Sequence, residues 1–139
     1  MADALSPALR ELVSDSLECE RQLGRVYRLH MLEATGPRVR RSWEEGVTLK
    51  QAHAAALTPL LVSGDRVSES AHAAPAPIPP AREALSWAYD QERRLELQYR
   101  EGARLAEDPS THAVLIRLEA DQRQWLDRIR ATYRDYSAA

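Results

Sequence analysis

Residues 20–37 read ERQLGRVYRLHMLEATGP, and residues 92–109 read ERRLELQYREGARLAEDP. Sliding the chain by 72 positions lays one stretch on the other. Glu20 then meets Glu92, Arg21 meets Arg93, Leu23 meets Leu95, Tyr27 meets Tyr99 and Arg28 meets Arg100. Ala34 and Ala106, then Pro37 and Pro109, continue the match, and Glu11 with Glu83 and Ser14 with Ser86 extend it backwards. A gapless internal repeat of this kind sets the architecture before any other feature is considered. The repeated unit is one helical hairpin used twice, with the copies expected around a pseudo-two-fold axis.

Four stretches carry the three-to-four spacing of an amphipathic helix. The first, about 7 to 34, lines up Leu9, Val13, Leu17, Glu20, Leu23, Tyr27, Met31 and Ala34. A second, about 37 to 62, presents Val39, Trp43, Gly46 and Val47, Lys50, His53, Leu57, Leu60 and Leu61. The third, about 80 to 107, presents Leu85, Ala88, Tyr89, Glu92, Leu95, Tyr99, Ala103 and Ala106. The fourth, about 109 to 136, carries Leu115, Leu118, Gln122, Trp125, Ile129 and Tyr133. Pro7, Pro37, Pro80 and Pro109 are expected at the first helical position, where a missing N–H costs nothing. Ser6 and Asp108 stand where N-caps belong. With no Phe, five Gly and no alternating Val/Ile/Thr runs, strands are not expected.

The spacing predicts an all-α, four-helix bundle occupying residues 1–139 as one domain. Its first hairpin is 7–62, its second 80–136, and the Ala/Ser/Pro-rich segment 63–79 between them is expected to be a crossover. That segment can reach roughly 56 Å, against roughly 39 Å for the second helix. Neither hairpin alone could bury its apolar stripe, which favours one bundle over two tethered units.

Bulk properties narrow the function classes. A net charge of −2 offers no basic field for nucleic acid or an anionic membrane. The small cluster Arg38, Arg40 and Arg41 reads as a solvated face. The longest apolar run, 54–62, is too short to cross a bilayer. No signal-like apolar stretch opens the chain, so a cytoplasmic location is expected. Cys19 is alone, which leaves no internal disulfide and no thiolate cluster. Lying off the stripe, it is expected to be an inert thiol. His30, His72 and His112 read as surface or helix-end residues. Trp87 falls away from its helix's stripe, and an exposed indole there would pack under the crossover or in a dimer interface.

Polar residues on the inward stripes are the informative exception. Glu20 and Glu92 replace apolar residues in the first and third helices. Lys50, the sole lysine beside 18 arginines, and Gln122 do so at equivalent positions of the second and fourth. One turn on, His53 is the equivalent of Trp125. Carboxylates and imidazoles converging from facing helices are the plan of a site enclosed by a bundle.

In these features the chain resembles the ferritin-like superfamily, most closely its rubrerythrin-type branch, over about residues 11–136. Carrying the resemblance are Glu20 with Tyr27, Glu92 with Tyr99, the run from Tyr99 to Pro109, the duplicated hairpin and the long connection. It implies two iron or manganese ions held by a Glu from the first helix of each hairpin and a Glu-x-x-His from the second. Glu20 and Glu92 match the first-helix ligands and His53 one histidine. Lys50 and Gln122 stand where glutamates belong, and Trp125 where the second histidine belongs. A bacterioferritin-like register would instead use Glu119, with Gln122 in the histidine position, although Glu119 is off the inward stripe.

Charge decides between these readings. Two carboxylates and an added ammonium cannot match four carboxylates around two divalent ions. The expectation is therefore a buried polar network of Glu20, Lys50, His53, Glu92 and Gln122 in a bundle with a degenerate di-metal site. Such a protein is expected to act as a non-catalytic interaction or assembly module without a cofactor. It is expected to form a homodimer or meet a protein partner, and to bind neither nucleic acid nor membrane. The alternative is a metal-dependent oxidoreductase or storage protein holding a single iron or manganese ion through Glu20, His53 and Glu92. Lys50 as an activated amine is disfavoured, because flanking carboxylates raise its pKa. Tyr27 and Tyr99 read as core aromatics with hydrogen-bonded hydroxyls.

Overall fold

The computed structural model describes residues 5–62 and 79–138, and these form four α-helices and no strand. They are α1 (Pro7–Glu33), α2 (Pro37–Val62), α3 (Ala81–Leu105) and α4 (Pro109–Ala138). Ser6 caps α1 as expected, its hydroxyl accepting the Leu9 N–H at 3.2 Å. Asp108 caps α4 through the Thr111 N–H at 3.0 Å. Pro80 departs from expectation: it is the N-cap of α3, with an extended ψ of 151°, and the helix starts at Ala81.

 Proline fixes φ but leaves ψ free, so Pro80 serves as a cap as readily as in a first turn. Its carbonyl still accepts the Ala84 N–H at 2.8 Å, starting the α3 ladder.

Side-chain contacts give each helix its direction. In α1 and α2, Arg10 reaches the Leu61 carbonyl while Tyr27 packs on Trp43. Between α1 and α3, Ser16 meets Gln98, Cys19 meets Gln91, and His30 meets the Pro79 carbonyl. In α3 and α4, Arg100 meets Glu119 while Tyr89 meets Arg130. From α2 to α4, His53 meets Asp121 and Glu45 meets Arg128. All four neighbouring pairs are thus antiparallel, and the diagonal pairs run parallel. Leu61 and Pro79 consequently lie at opposite ends of α1. The expected crossover lies outside the described residues apart from Pro79.

Apolar side chains fill both ends of the bundle. Leu9, Val13, Leu57, Leu61, Leu115 and Leu118 occupy one end; Trp43, Leu85, Ala88 and Ile129 occupy the other. Each fully buried leucine contributes about 1.5–3 kcal/mol, so these layers supply the folding drive. The expected inward stripes are buried or half-buried wherever their side chains are described.

Among the single-residue expectations, His30 does lie in the last turn of α1, but its surface reading needs correction. His30 is 4% exposed, because its place three residues beyond Tyr27 keeps it on the inner face. Its ring lies 5.1 Å from that of Trp43, and its Nε2 is 3.2 Å from the Pro79 oxygen. Cys19 is buried in the contact between α1 and α3. Trp87 is half-buried and packs against the core. His112 is exposed, as expected, with Nδ1 2.8 Å from the Ala103 oxygen. His72 lies outside the described residues.

Candidate functional site

The middle layer of the bundle is polar. Glu20, Glu92 and Gln122 are wholly buried, and Lys50 and His53 are each 1% exposed. The helical period brings them there, since each sits on the same inward stripe as the leucines above and below it. All five residues of the expected network meet.

Lys50 is at the centre. Its Nζ lies 2.5 Å from Glu20 Oε1 and 2.5 Å from Glu92 Oε1, and it donates to Gln122 Oε1 at 2.9 Å. The contact with Glu20 is an ion pair outside hydrogen-bond alignment. Three acceptors surround an ammonium that has three protons.

Each carboxylate has equivalent company on its other oxygen. Glu20 Oε2 takes the Tyr99 hydroxyl at 2.7 Å and faces His53 Nδ1 at 2.8 Å. Glu92 Oε2 takes the Tyr27 hydroxyl at 2.7 Å and the Trp125 indole N–H at 2.6 Å. The indole therefore does for Glu92 what the imidazole does for Glu20. Gln122 closes the layer by donating from Nε2 to Glu92 Oε1 and to the Glu92 carbonyl, both at 2.9 Å.

Electrostatics follow the geometry. Burial pushes the Lys50 ammonium down, but Glu92 and Glu20 push it up further, and the net shift is upward. Burial likewise raises the Glu20 carboxyl, yet the Lys50 charge and the His53 contact hold it below its ordinary value. Tyr27 and Tyr99 are raised well above theirs, first by burial and then by Glu92 and Glu20 respectively. The Cys19 thiol is pushed up to about 12, mainly by burial. A protonated amine, two protonated phenols and a protonated thiol are each poor nucleophiles.

Glu119 is buried but, in keeping with its off-stripe position, it does not join the centre. Its Oε2 takes Arg100 at 2.8 Å and Arg123 at 3.0 Å, so the bacterioferritin-like register is not adopted. One contact was not anticipated: His53 Nε2 lies 3.1 Å from Asp121 Oδ2. Asp121 precedes the inward Gln122 by one residue, and its repeat equivalent is Leu49, so the repeat carried no signal for it. For Trp125 the signal was present, as its equivalence to His53.

The donor set does not fit a metal centre. Lys50 Nζ stands between Glu20 and Glu92, where a bridging ion would have to sit. Four donors occupy the two oxygens of Glu92, and an indole N–H cannot act as a ligand. A divalent ion 4 Å from an ammonium would meet repulsion on the order of 8 kcal/mol at an effective dielectric of 20. Glu20 and His53 touch, but Glu92 is reached only across the lysine. Among the described residues, no group of three or more His, Cys, Asp or Glu side chains is arranged to hold a metal ion.

The fold and this layer define the chain as an all-α four-helix bundle with an internal ionic layer. Comparison with protein-family models, curated proteins and solved structures finds no match. No helix among the described residues is long and apolar enough to cross a membrane.

Proposed function

We propose that this chain is a ferritin-like bundle in which the Lys50 ammonium takes the electrostatic place of metal ions, and that it works as a non-catalytic interaction or assembly module. The observation behind this reading is the lysine's contact, at 2.5 Å, with both inward carboxylates. A cation supplied by the chain itself offsets one of the two acid charges and fills the space between them. In this reading the connection between the hairpins is the crossover of that superfamily. A homodimer or a complex with another protein, in the cytoplasm, completes the proposal.

The test is elemental analysis of chain purified from cells supplemented with iron or manganese. The expected result is no stoichiometric metal. Stoichiometric iron or manganese that disappears in Glu20→Ala would overturn the reading. Lys50→Glu, which puts a third carboxylate beside Glu20 and Glu92, is the positive arm: this variant is expected to retain metal where the parent does not.

A further inference from the structure

The 72-residue repeat allows the outer grooves of the two hairpins to be compared position by position. Between α3 and α4 the groove is filled. Glu96 and Glu119 are each 8% exposed, and Leu126 is 5% exposed. Arginines hold the two acids: Arg100 and Arg123 lie 2.8 and 3.0 Å from Glu119, and Arg123 lies 3.5 Å from Glu96. Arg93 flanks Glu96 at 3.9 Å.

Between α1 and α2 two of these three arginines are kept, Gln51 standing where Arg123 does, and the acids are missing. Arg21 and Arg28 are the equivalents of Arg93 and Arg100, while Gly24 and Val47 stand where Glu96 and Glu119 do, and Ala54 replaces Leu126. Arg25 adds a further cation one helical turn from Arg21. What remains is an open cleft of about 220 Å³ lined by Arg21, Gly24, Arg25, Arg28 and Val47. Glu20 and Lys50 also border it, but their opposite charges are in contact with each other. Among the described residues, Arg21, Arg25 and Arg28 make no ion pair.

We propose that this cleft binds a pair of carboxylates presented by an acidic segment of a partner protein, seating them as Glu96 and Glu119 are seated in the second hairpin. The internal copy supplies the ligand chemistry, because Arg93 and Arg100, the equivalents of Arg21 and Arg28, already stand against carboxylates there. Size favours side chains over a free small molecule: small-ligand pockets run from about 300 to 1,000 Å³ and enclose most of their ligand. The exposed arginines also give a rim that steers an acidic partner and rejects a basic one. The inference rests on reading the chain as an interaction module and names the chemistry of its partner.

The test is fluorescence anisotropy of a labelled oligoglutamate peptide titrated with the full chain at low ionic strength. Saturable binding that weakens with added salt is expected. Arg25→Glu with Arg28→Glu should weaken it by about tenfold or more, equivalent to about 1.4 kcal/mol. Gly24→Glu with Val47→Glu supplies both carboxylates in cis, keeps every arginine, and should abolish binding. A Cβ at Gly24 meets only ordinary contact, at 3.4 Å from Lys50 Cβ, and circular dichroism checks that both variants remain helical. Absence of binding, binding unchanged in both helical variants, or equal affinity for free glutarate would each overturn the inference. Metal content is measured separately. Stoichiometric metal in a chain that binds the peptide overturns the proposed function alone, and a metal-free chain that ignores the peptide overturns this inference alone.

Discussion

Lys50 and Gln122 touch at 2.9 Å although 72 residues separate them, and that separation is the period of the internal repeat. A residue in contact with its own repeat equivalent straddles the axis relating the two copies. The same axis exchanges the contact of Tyr27 with Glu92 for that of Tyr99 with Glu20, and both are 2.7 Å long. Symmetry is broken at the axis itself, where one copy places an ammonium and the other an amide. That single difference sets the charge of the layer.

Removing the cation should therefore be costly. Lys50→Met leaves Glu20 and Glu92 buried without their common counter-charge, and a loss of about 3–5 kcal/mol is expected in urea denaturation. Adding Glu20→Gln and Glu92→Gln to that variant should recover much of the loss, since neutral amides need no counter-ion. A Lys50→Met chain within about 1 kcal/mol of the parent would contradict the ionic layer.

Stability should fall at both ends of the pH scale. Glu20 is held below its ordinary value of 4.5, so its contribution is present above that pH and is lost as the pH falls through the folded value. Lys50 is raised above 10.5, and its contribution, complete below that pH, is lost as the pH rises through the folded value. Tyr27 and Tyr99, raised above 10.0, act in the same alkaline direction. Cys19 begins the decline, because its unfolded thiol ionises from about pH 9 while the folded one holds its proton to about 12. Thermal melts across pH should show a plateau between the acid and alkaline limbs.

Two glycines should respond with opposite signs. A Cβ at Gly46 would lie 2.7 Å from Tyr27 Cδ2 and 3.0 Å from Trp125 Cζ2, against the two side chains that donate to Glu92 Oε2. Gly46→Ala is expected to destabilise by about 1–3 kcal/mol through overpacking. At Gly24 the nearest atom is 3.4 Å away, and Gly24→Ala should stabilise by about 0.5–1 kcal/mol through helix propensity. Paired denaturation curves test both.

Cys19 should be chemically silent in the folded chain. Burial and a thiol pKa near 12 leave almost no accessible thiolate at neutral pH. Labelling by a disulfide reagent should proceed only as the bundle opens, at a rate that rises with urea. Rapid stoichiometric labelling in buffer would contradict the packing of α1 on α3.

Much of this was legible in the order of residues. Helical period, prolines at helix starts and the 72-residue repeat determined four helices, two hairpins and the inward direction of Glu20, Lys50, His53, Glu92 and Gln122. Period alone tells which face a side chain takes, and a repeat tells which faces are equivalent. Neither states how far a side chain reaches across a groove. For that reason Asp121 beside His53, the turn of Glu119 towards Arg100, and the burial of His30 under Trp43 belonged to the tertiary structure. So did the decisive distance, that of one ammonium to two carboxylates. Contact between diagonal helices depends on interhelical spacing and rotamer, which no single helix encodes and which the packing of all four sets together.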